Sequence, residues 1–470
     1  MEDKLLGRLI VSYKDADGWR DNPNIDEKVD LYEDLSVQGK LLWYINEAVS
    51  VDLRYSMTDS EGGGSGFRAT AINFNNTSGA VNACLACTNV DEATAVPGVP
   101  APVAAAAADP NIYLPVQANR NGLDDREAYV VSAKIDWEAS FGILTSVTSY
   151  DSLDAVTALD QFPYYPEVFL PGAQGLSAHT GQNRFHEGFS QEIRFTSNDD
   201  QRLRWIVGAY YAKTDLDTMI SVNHDTDPTI PVVIQRGTAP LIGGTMPTRP
   251  WDVSFGGATG GAPTPNTNPG ALSYTFDTFE SEATAVFAQM NYDINDEFEF
   301  SFALRYDKDE REIKIKTAQE YLPVFSFPSP EEGEVRKADY DSLQPKLTLR
   351  WKPSDEMTFY GTVAEGFLSG GFNQSGVKAA VQTLADAGVP GMPNGVKDSW
   401  EQEDTRSFEL GFKTSGLDGR LKFDIAAFYT EIDDAFNFVF VAPLVSQVIR
   451  NVDEAEVQGF ETSLAFLVNE

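Results

Sequence analysis

The stretch Phe298-Glu299-Phe300-Ser301-Phe302-Ala303-Leu304-Arg305-Tyr306 alternates large apolar side chains with small or polar ones at every second position. Successive side chains of a β-strand point to opposite faces of the sheet, so a period of two predicts a strand with one apolar and one polar face. The same alternation recurs at residues 49–57, 129–137, 343–352 and 421–429. An all-β fold is therefore predicted.

Runs of this kind predict fourteen strands, near residues 4–13, 28–45, 48–60, 126–138, 141–155, 184–197, 203–217, 280–294, 297–315, 339–352, 357–368, 402–415, 419–433 and 452–467. Most of these runs are at least 11 residues long. A tilted strand needs about 9 to 11 residues to cross a bilayer, whereas strands of soluble proteins average about 5 to 6 residues. The lengths favour strands that span a membrane.

The connections between the predicted strands are of two alternating kinds. Short turns lie at residues 46–47, 138–140, 198–200, 295–296, 353–355 and 415–418, and long loops lie near residues 61–125, 156–183, 218–279 and 368–401. Short turns facing the periplasm and long loops facing outside are typical of antiparallel transmembrane β-barrels. Several aromatic residues adjoin the short turns, where a membrane interface holds such rings: Trp43, Trp137, Trp205 and Trp351. The predicted architecture is therefore an antiparallel transmembrane β-barrel.

The amino-acid composition excludes some classes of function. Among 470 residues there are 35 Lys and Arg against 71 Asp and Glu, which gives a net charge of −36. Binding to nucleic acid needs a basic surface that neutralises phosphates, so a nucleic-acid partner is excluded. The mean hydropathy is −0.28 and no run of 18 apolar residues occurs, which argues against membrane-spanning helices but not against barrel strands.

The polar faces of the predicted strands supply the candidate functional residues. The alternation points one set of basic side chains into a common lumen: Arg54, Lys134, Arg194, Arg305, Lys346 and Arg350. Acidic side chains join them on these faces, including Asp136, Glu192 and Glu409. Mixed charge suits a water-filled or plugged barrel interior.

Signals for catalysis, metals and cofactors are weak. The three histidines are scattered, and no phosphate-binding loop, dinucleotide fingerprint or nucleophile elbow is found. We expect no enzyme, no catalytic residues, no metal site and no cofactor. Cys84 and Cys87 are the only cysteines. We predict that they form a disulfide that constrains a loop in an oxidising compartment, and the alternative is a redox or metal role.

Residues 364–373 read Ala-Glu-Gly-Phe-Leu-Ser-Gly-Gly-Phe-Asn. This segment resembles a strand-to-loop motif of TonB-dependent outer-membrane receptors of the iron-complex type, and the matching positions are Gly366, Gly370, Gly371, Phe372 and Asn373. Residues 407–413, Ser-Phe-Glu-Leu-Gly-Phe-Lys, and residues 456–461, Glu-Val-Gln-Gly-Phe-Glu, are similar to two further strands of that family.

The resemblance implies that residues 1–470 are one partial barrel domain, with about 14 strands of a 22-strand barrel and without the plug and the C-terminal strands. It implies a location in the outer membrane of a Gram-negative bacterium, in contact with lipid, and uptake of a scarce ligand. The expected ligand is a ferric siderophore or similar metal chelate, ahead of cobalamin, haem or a saccharide. The expected protein partner is the TonB complex, through a plug absent here, and a monomer is expected.

Two other functions stay open at this stage. The first is a passive 14-strand outer-membrane channel, whose inner charges would select solutes by size and sign. The second is a secreted β-rich glycosidase, which would need two carboxylates at catalytic spacing in a cleft.

Overall fold

A computed structural model of the chain describes residues 4–22, 26–63, 122–160, 178–224, 232–233, 241–242, 271–316, 333–386, 388, 392–417, 419–441 and 446–468. Within them, fourteen long strands form one sheet. In chain order they are β1 Leu5–Ala16, β2 Tyr32–Tyr44, β3 Val49–Gly62, β4 Leu123–Ala139, β5 Gly142–Asp160, β6 Ala178–Ser197, β7 Leu203–His224, β8 Ala271–Asp293, β9 Phe298–Ile315, β10 Val335–Ser354, β11 Met357–Leu368, β12 Glu403–Gly416, β13 Leu421–Asp433 and β14 Glu454–Phe466.

Each strand pairs in antiparallel fashion with the strands before and after it in the chain. This up-and-down order confirms the predicted all-β, 14-strand antiparallel fold. Among the described residues, β1 pairs only with β2 and β14 only with β13, so the two edges of the sheet are not joined to each other.

Short turns join alternate pairs of strands at the six places that the sequence predicts, for example at residues 45–48 and 294–297. In these two turns the side-chain oxygens of Asn46 and Asn295 accept hydrogen bonds from backbone N–H groups two residues on, at 2.8 and 2.9 Å. An asparagine that bonds its own backbone in this way stabilises a tight turn. The rim that carries these turns is called the turn end, and the opposite rim is called the loop end.

At the loop end several strands run further than the alternation predicts, and β8 begins at Ala271 rather than near residue 280. The prediction of one strand over residues 28–45 is wrong at its start. Residues Glu27–Val29 pair instead with Arg20–Asn22, because Asp30 has φ of 65° and binds Arg20 through two hydrogen bonds of 2.6 Å.

The two faces of the sheet differ in chemistry. On the apolar face, runs of nine residues carry apolar or aromatic side chains at nearly every second position, at residues 5–13, 35–43, 49–57, 129–137, 298–306 and 343–351. These side chains are open to the surroundings, with Leu9 at 73%, Leu343 at 56% and Leu349 at 48% exposure. A sheet in water would bury such a face, so its exposure fits a face that contacts hydrocarbon. We call these runs the apolar belt.

Aromatic rings border the apolar belt at the turn end. Phe298, Trp351, Phe359 and Phe412 form a continuous series on β9–β12, with ring centroids 6.1, 5.2 and 4.6 Å apart. Phe195 contacts Phe141 and Trp205 at 5.3 Å each in the same position on β6 and its neighbours. Tyr and Trp rings prefer a membrane interface, so these series mark one edge of the belt.

The only extended hydrophobic core of the described residues lies at the loop end and not in the sheet. It contains the buried side chains of Val377, Ala380, Val381, Val441 and Val448. The first three belong to helix α1, Val377–Asp386, and the others to a hairpin formed by Phe436–Val441 and Ser446–Asn451. In the described part of the chain, no helix has both the length and the apolar character needed to span a membrane.

Candidate functional site

The strand register places the six basic residues predicted for the lumen on the polar face of the sheet. Arg194 lies opposite Gly208 of β7, Gly208 opposite Phe287 of β8, and Phe287 opposite Arg305 of β9. Directly opposed residues share a face, so this chain of pairs connects distant strands. The same reasoning assigns Arg54, Lys134, Lys346 and Arg350 to this face.

Most of these cations have an acidic partner. Arg54, Lys134, Arg194 and Arg305 each bind a carboxylate two residues away, at 3.1, 2.8, 2.7 and 2.6 Å, namely Asp52, Asp136, Glu192 and Asp307. Residues two apart on a strand share a face, which brings the partners together. Arg350 binds Glu299 on the neighbouring strand. Five of the six cations on this mixed-charge face are therefore neutralised by a carboxylate partner.

Lys346 differs from the other five cations. Among the described residues its ammonium group has no hydrogen-bond or ion-pair partner, and the residue is exposed on the polar face. An ammonium without a fixed partner can bind an anionic group of a passing solute. Arg305, in contrast, is held by Asp307 and also lies over the rings of Tyr210 and Phe287, at 5.8 and 5.7 Å.

A groove of about 520 Å³ lies along the polar face of β11–β14. Three carboxylates line it, those of Glu409, Asp424 and Glu461. The Tyr360 hydroxyl donates a hydrogen bond of 2.6 Å to Glu409, and the ammonium of Lys413 lies 5.8 Å from the Tyr360 ring. The excess of acid makes this groove suited to cationic groups. No three His, Cys, Asp or Glu side chains of the described residues are placed to hold a metal ion.

The family-motif residues form a junction where β11 leaves the sheet. Gly370 and Gly371 lie against Trp400 so closely that a Cβ atom at either position would overlap it. Phe372 is buried at 8% exposure. The Gly366 carbonyl accepts a hydrogen bond of 3.1 Å from Thr405 of β12. Glycine is needed at 370 because the Trp400 backbone lies against it, and at 371 because the Trp400 ring occupies the space of a side chain.

Asn373 connects three segments through its side chain. Its amide nitrogen donates to the carbonyls of Lys397 and Ile449 at 2.9 and 2.8 Å, and its oxygen accepts from the Ile449 N–H at 2.8 Å. Asn373 is 4% exposed, so each bond is sheltered from water. The segment after β11 is thereby tied to the hairpin between β13 and β14. We call the described residues of 369–402 and 434–453 the cap.

The cap covers the polar face of β8–β10 at the loop end. The backbone N–H and hydroxyl of Ser375 donate to the Asp277 carboxylate of β8 at 3.2 and 3.0 Å, and these residues are 0% and 2% exposed. Arg311 donates to the Gly370 carbonyl at 2.7 Å. Tyr340 lies beyond the apolar belt, donates to the Trp400 carbonyl at 3.3 Å, and has a raised pKa because its hydroxyl is desolvated.

Sequence reasoning missed the cap and its anchors Asp277 and Ser375. A helix signal was present, since Val377, Ala380, Val381 and Leu384 follow helical spacing after Ser375-Gly376. Of the other candidates, Cys84 and Cys87 lie outside the described residues, as do residues 64–121 and 161–177 of the predicted long loops. His186 lies on β6 and contacts Asp151 at 2.8 Å.

We expect Asn373→Asp to loosen the cap. The new carboxylate cannot donate to the two carbonyls that Asn373 now satisfies. An unsatisfied buried group costs about 1 to 3 kcal/mol, so the amides of α1 should exchange hydrogen faster. The control is Asn394→Asp, the same chemical change at an exposed cap residue. Equal exchange in both variants would contradict the role assigned to Asn373.

Comparison with known proteins finds one matching family model, described as "TonB dependent receptor-like, beta-barrel", over residues 51–468. The fold is similar to the ferric yersiniabactin uptake receptor FyuA of Yersinia pestis, with 12% identity, a TM-score of 0.62, and coverage of 100% of this chain and 55% of that one. It is also similar to the siderophore receptor PiuA of Acinetobacter baumannii, with 15% identity, a TM-score of 0.60, and coverage of 100% and 58%. This chain thus spans little more than half the length of those receptors.

Proposed function

This chain belongs to the TonB-dependent receptor family, whose β-barrel model it matches. We propose that it forms part of the barrel wall of an outer-membrane receptor that takes up a scarce ligand. The observation that carries the proposal is the family match over residues 51–468. The exposed apolar belt and the opposite polar face support it, since such a barrel has lipid outside and water or a plug inside.

In this proposal the polar face is the wall of the solute path. The paired cations Arg54, Arg194 and Arg305 are neutralised by carboxylates on their own strands and are therefore not free to contact a solute. Of the six predicted lumen cations, Lys346 is the one without an ion-pair partner among the described residues, so its ammonium group can contact a solute. The acidic groove around Glu409 and Glu461 gives the wall a second contact surface of opposite sign.

We propose a ferric siderophore or similar metal chelate as the ligand. Two similar structures are described as a ferric yersiniabactin uptake receptor and a siderophore receptor, which supports this class without selecting a compound. The same proposal includes three further points: the TonB complex supplies the energy, the protein lies in the outer membrane of a Gram-negative bacterium, and it performs no catalytic step. The family is one of receptors.

A passive 14-strand channel is the weaker proposal. A closed channel of these strands needs β1 to pair with β14, and the described residues contain no such pairing. The family match likewise favours a receptor. A glycosidase would place two carboxylates across an open cleft. The polar-face acids Asp52, Asp136, Glu192 and Asp307 are instead bound to basic partners, and Glu409 of the acidic groove accepts a hydrogen bond from Tyr360. The groove carboxylates alone do not support a glycosidase against the family match.

The proposal predicts energy-dependent uptake. Cells that carry the gene, grown under iron limitation, should accumulate radioactive iron supplied as ferric citrate, a ferric catecholate or a ferric hydroxamate, and cells without the gene should lose at least one of these activities. A protonophore should abolish the gene-dependent uptake. Gene-dependent uptake that resists the protonophore would instead support the passive channel, and no gene-dependent uptake of any chelate would count against the ligand class.

A further inference from the structure

An arginine without an acidic partner lies on β6 near the loop end. Arg184 is exposed, and its Nε and Nη2 groups donate to the side-chain oxygen of Gln182 at 3.0 and 2.9 Å, in the amide orientation that satisfies both residues. Within the described residues no carboxylate binds Arg184. Arg54, Arg194 and Arg305 are in contrast each neutralised by a carboxylate two residues away. Gln182 therefore holds the Arg184 guanidinium in place without compensating its charge.

The strand register places Arg184 on the polar face, beside a second arginine. Arg184 and Arg194 are an even number of positions apart on β6, so they share this face. Arg184 lies opposite Ala155 of β5, and Ala155 lies opposite Arg126 of β4. Two strand spacings, about 10 Å, separate the two arginines of this row. Ala155 carries only a methyl group and is 8% exposed, so it forms the floor between two long side chains. We call Arg126, Ala155 and Arg184 the arginine recess.

The acids next to the arginine recess on this face are engaged by other groups. Asp124 binds Arg126 through two hydrogen bonds of 2.6 and 2.9 Å. Asp151, which lies nearer the turn end on β5, contacts His186 at 2.8 Å. Arg126 is thereby compensated and forms one side of the recess. Arg184 carries the charge that the described residues leave without a counter-ion.

The arginine recess lies at the loop end, close to the cap. From Arg184 the same row of the sheet continues through Thr218 of β7 to Asp277 of β8, whose carboxylate the cap binds. The outward residues at this height include the acids Asp154 and Asp217. Hydrocarbon does not accommodate such carboxylates, so the recess lies beyond the apolar belt. In the proposed receptor, a solute from outside reaches this end of the wall first.

We propose that the arginine recess binds a free carboxylate group of the metal chelate, with Arg184 as the binding residue and Gln182 as its positioning residue. A guanidinium has five N–H donors, and Gln182 occupies the Nε hydrogen and one Nη2 hydrogen. The end formed by Nη1 and Nη2 is left for a ligand. It presents two parallel donors that match the two oxygens of a carboxylate.

This inference rests on the proposed uptake function and narrows its ligand class. Hydroxamate and catecholate groups are occupied when they bind the ferric ion. A polycarboxylate such as citrate, in contrast, retains free carboxylates in its iron complex. The arginine recess therefore favours iron carriers of the carboxylate type.

The first test measures binding of ferric citrate to the native protein, purified from the outer membrane in mild detergent. Arg184→Gln removes the charge and should weaken binding about tenfold, as expected for the loss of one charge-assisted hydrogen-bonded pair. Gln182→Glu should weaken binding as strongly, because the new carboxylate neutralises Arg184 and leaves it in place. The matched control is Gln289→Glu, the same change on the polar face of β8 near the turn end, which should leave binding unchanged. Unchanged binding in Arg184→Gln, or equal weakening in Gln289→Glu, overturns the inference.

The second test repeats the measurement with a ferric trihydroxamate, which is neutral and has no free carboxylate. No difference is expected between the unchanged protein, Arg184→Gln and Gln182→Glu, and resistance to proteolysis checks that each is assembled. A parallel loss of both chelates overturns the inference, because the variants then disturb the wall in general. If the unchanged protein binds the trihydroxamate but not ferric citrate, the inference fails and the proposed function stands. If it binds neither of these nor a ferric catecholate, both fail.

Discussion

Leu347→Asp is expected to prevent assembly of the barrel, whereas Lys346→Asp should assemble normally. The two residues are neighbours on β10 but occupy opposite faces, since Leu347 lies opposite Phe302 and Lys346 lies opposite Ala303. Leu347 is 45% exposed in the apolar belt, where a carboxylate would face hydrocarbon. The cost there is about 2 kcal/mol for one charge, in addition to the lost apolar contact. At position 346 the same carboxylate meets the polar face.

Assembly can be measured as the protease-resistant fraction of the chain in an outer-membrane preparation. Equal yields of the two variants would show that the apolar face does not contact lipid. Lys346 is a better control than Ser301, which the alternation also assigns to the polar face. Ser301 is 8% exposed and lies opposite Thr348, itself 5% exposed, so an added carboxylate would be crowded there for reasons unrelated to the membrane.

Val448→Asp is expected to unfold the cap and leave the sheet intact. Val448 is 0% exposed in the core shared by α1 and the hairpin between β13 and β14. A carboxylate in this core would have no partner, and an uncompensated buried charge costs about 3 kcal/mol or more. Because the core joins the segment after β11 to that hairpin, both segments should become accessible together.

The matched control is Phe438→Asp, in the other strand of the same hairpin, where the side chain is 64% exposed. Limited proteolysis should cut the cap of Val448→Asp within residues 369–402. The cap of Phe438→Asp should resist, and so should the 14-stranded sheet in both variants. If the ligand is held at the loop end, chelate uptake should fall in Val448→Asp alone. A protease-resistant cap in both variants would mean that this core does not hold the cap together.

Much of the sheet was predictable because its signals are local. The alternation in residues 298–306 needs only the geometry of one strand, and Asn295 or Asn46 needs only its own backbone to form a turn. The positions of Ser146, Thr148 and Gln191 were not predictable, because these residues look like part of a polar face until the register assigns them to the apolar one.

The family motif has a local signal that the sequence reveals and distant contacts that it does not. Residues 364–373 could be identified from the sequence as a motif, but the reason for their identity lies in distant contacts. The glycines fit against Trp400, and Asn373 binds Ile449, which is 76 positions further along the chain. Neither partner can be inferred from the spacing of the motif.

The sequence by itself determined the class of fold, the number of strands, the positions of the short turns and the chemistry of the two faces. Each of these follows from side chains that are near one another in the chain, where the period of a strand dictates direction. Only the tertiary structure decided that two loops form one cap and that Ser375 binds Asp277 across 98 positions. Contacts of that range depend on register accumulated over several strands, and a local pattern does not contain that information.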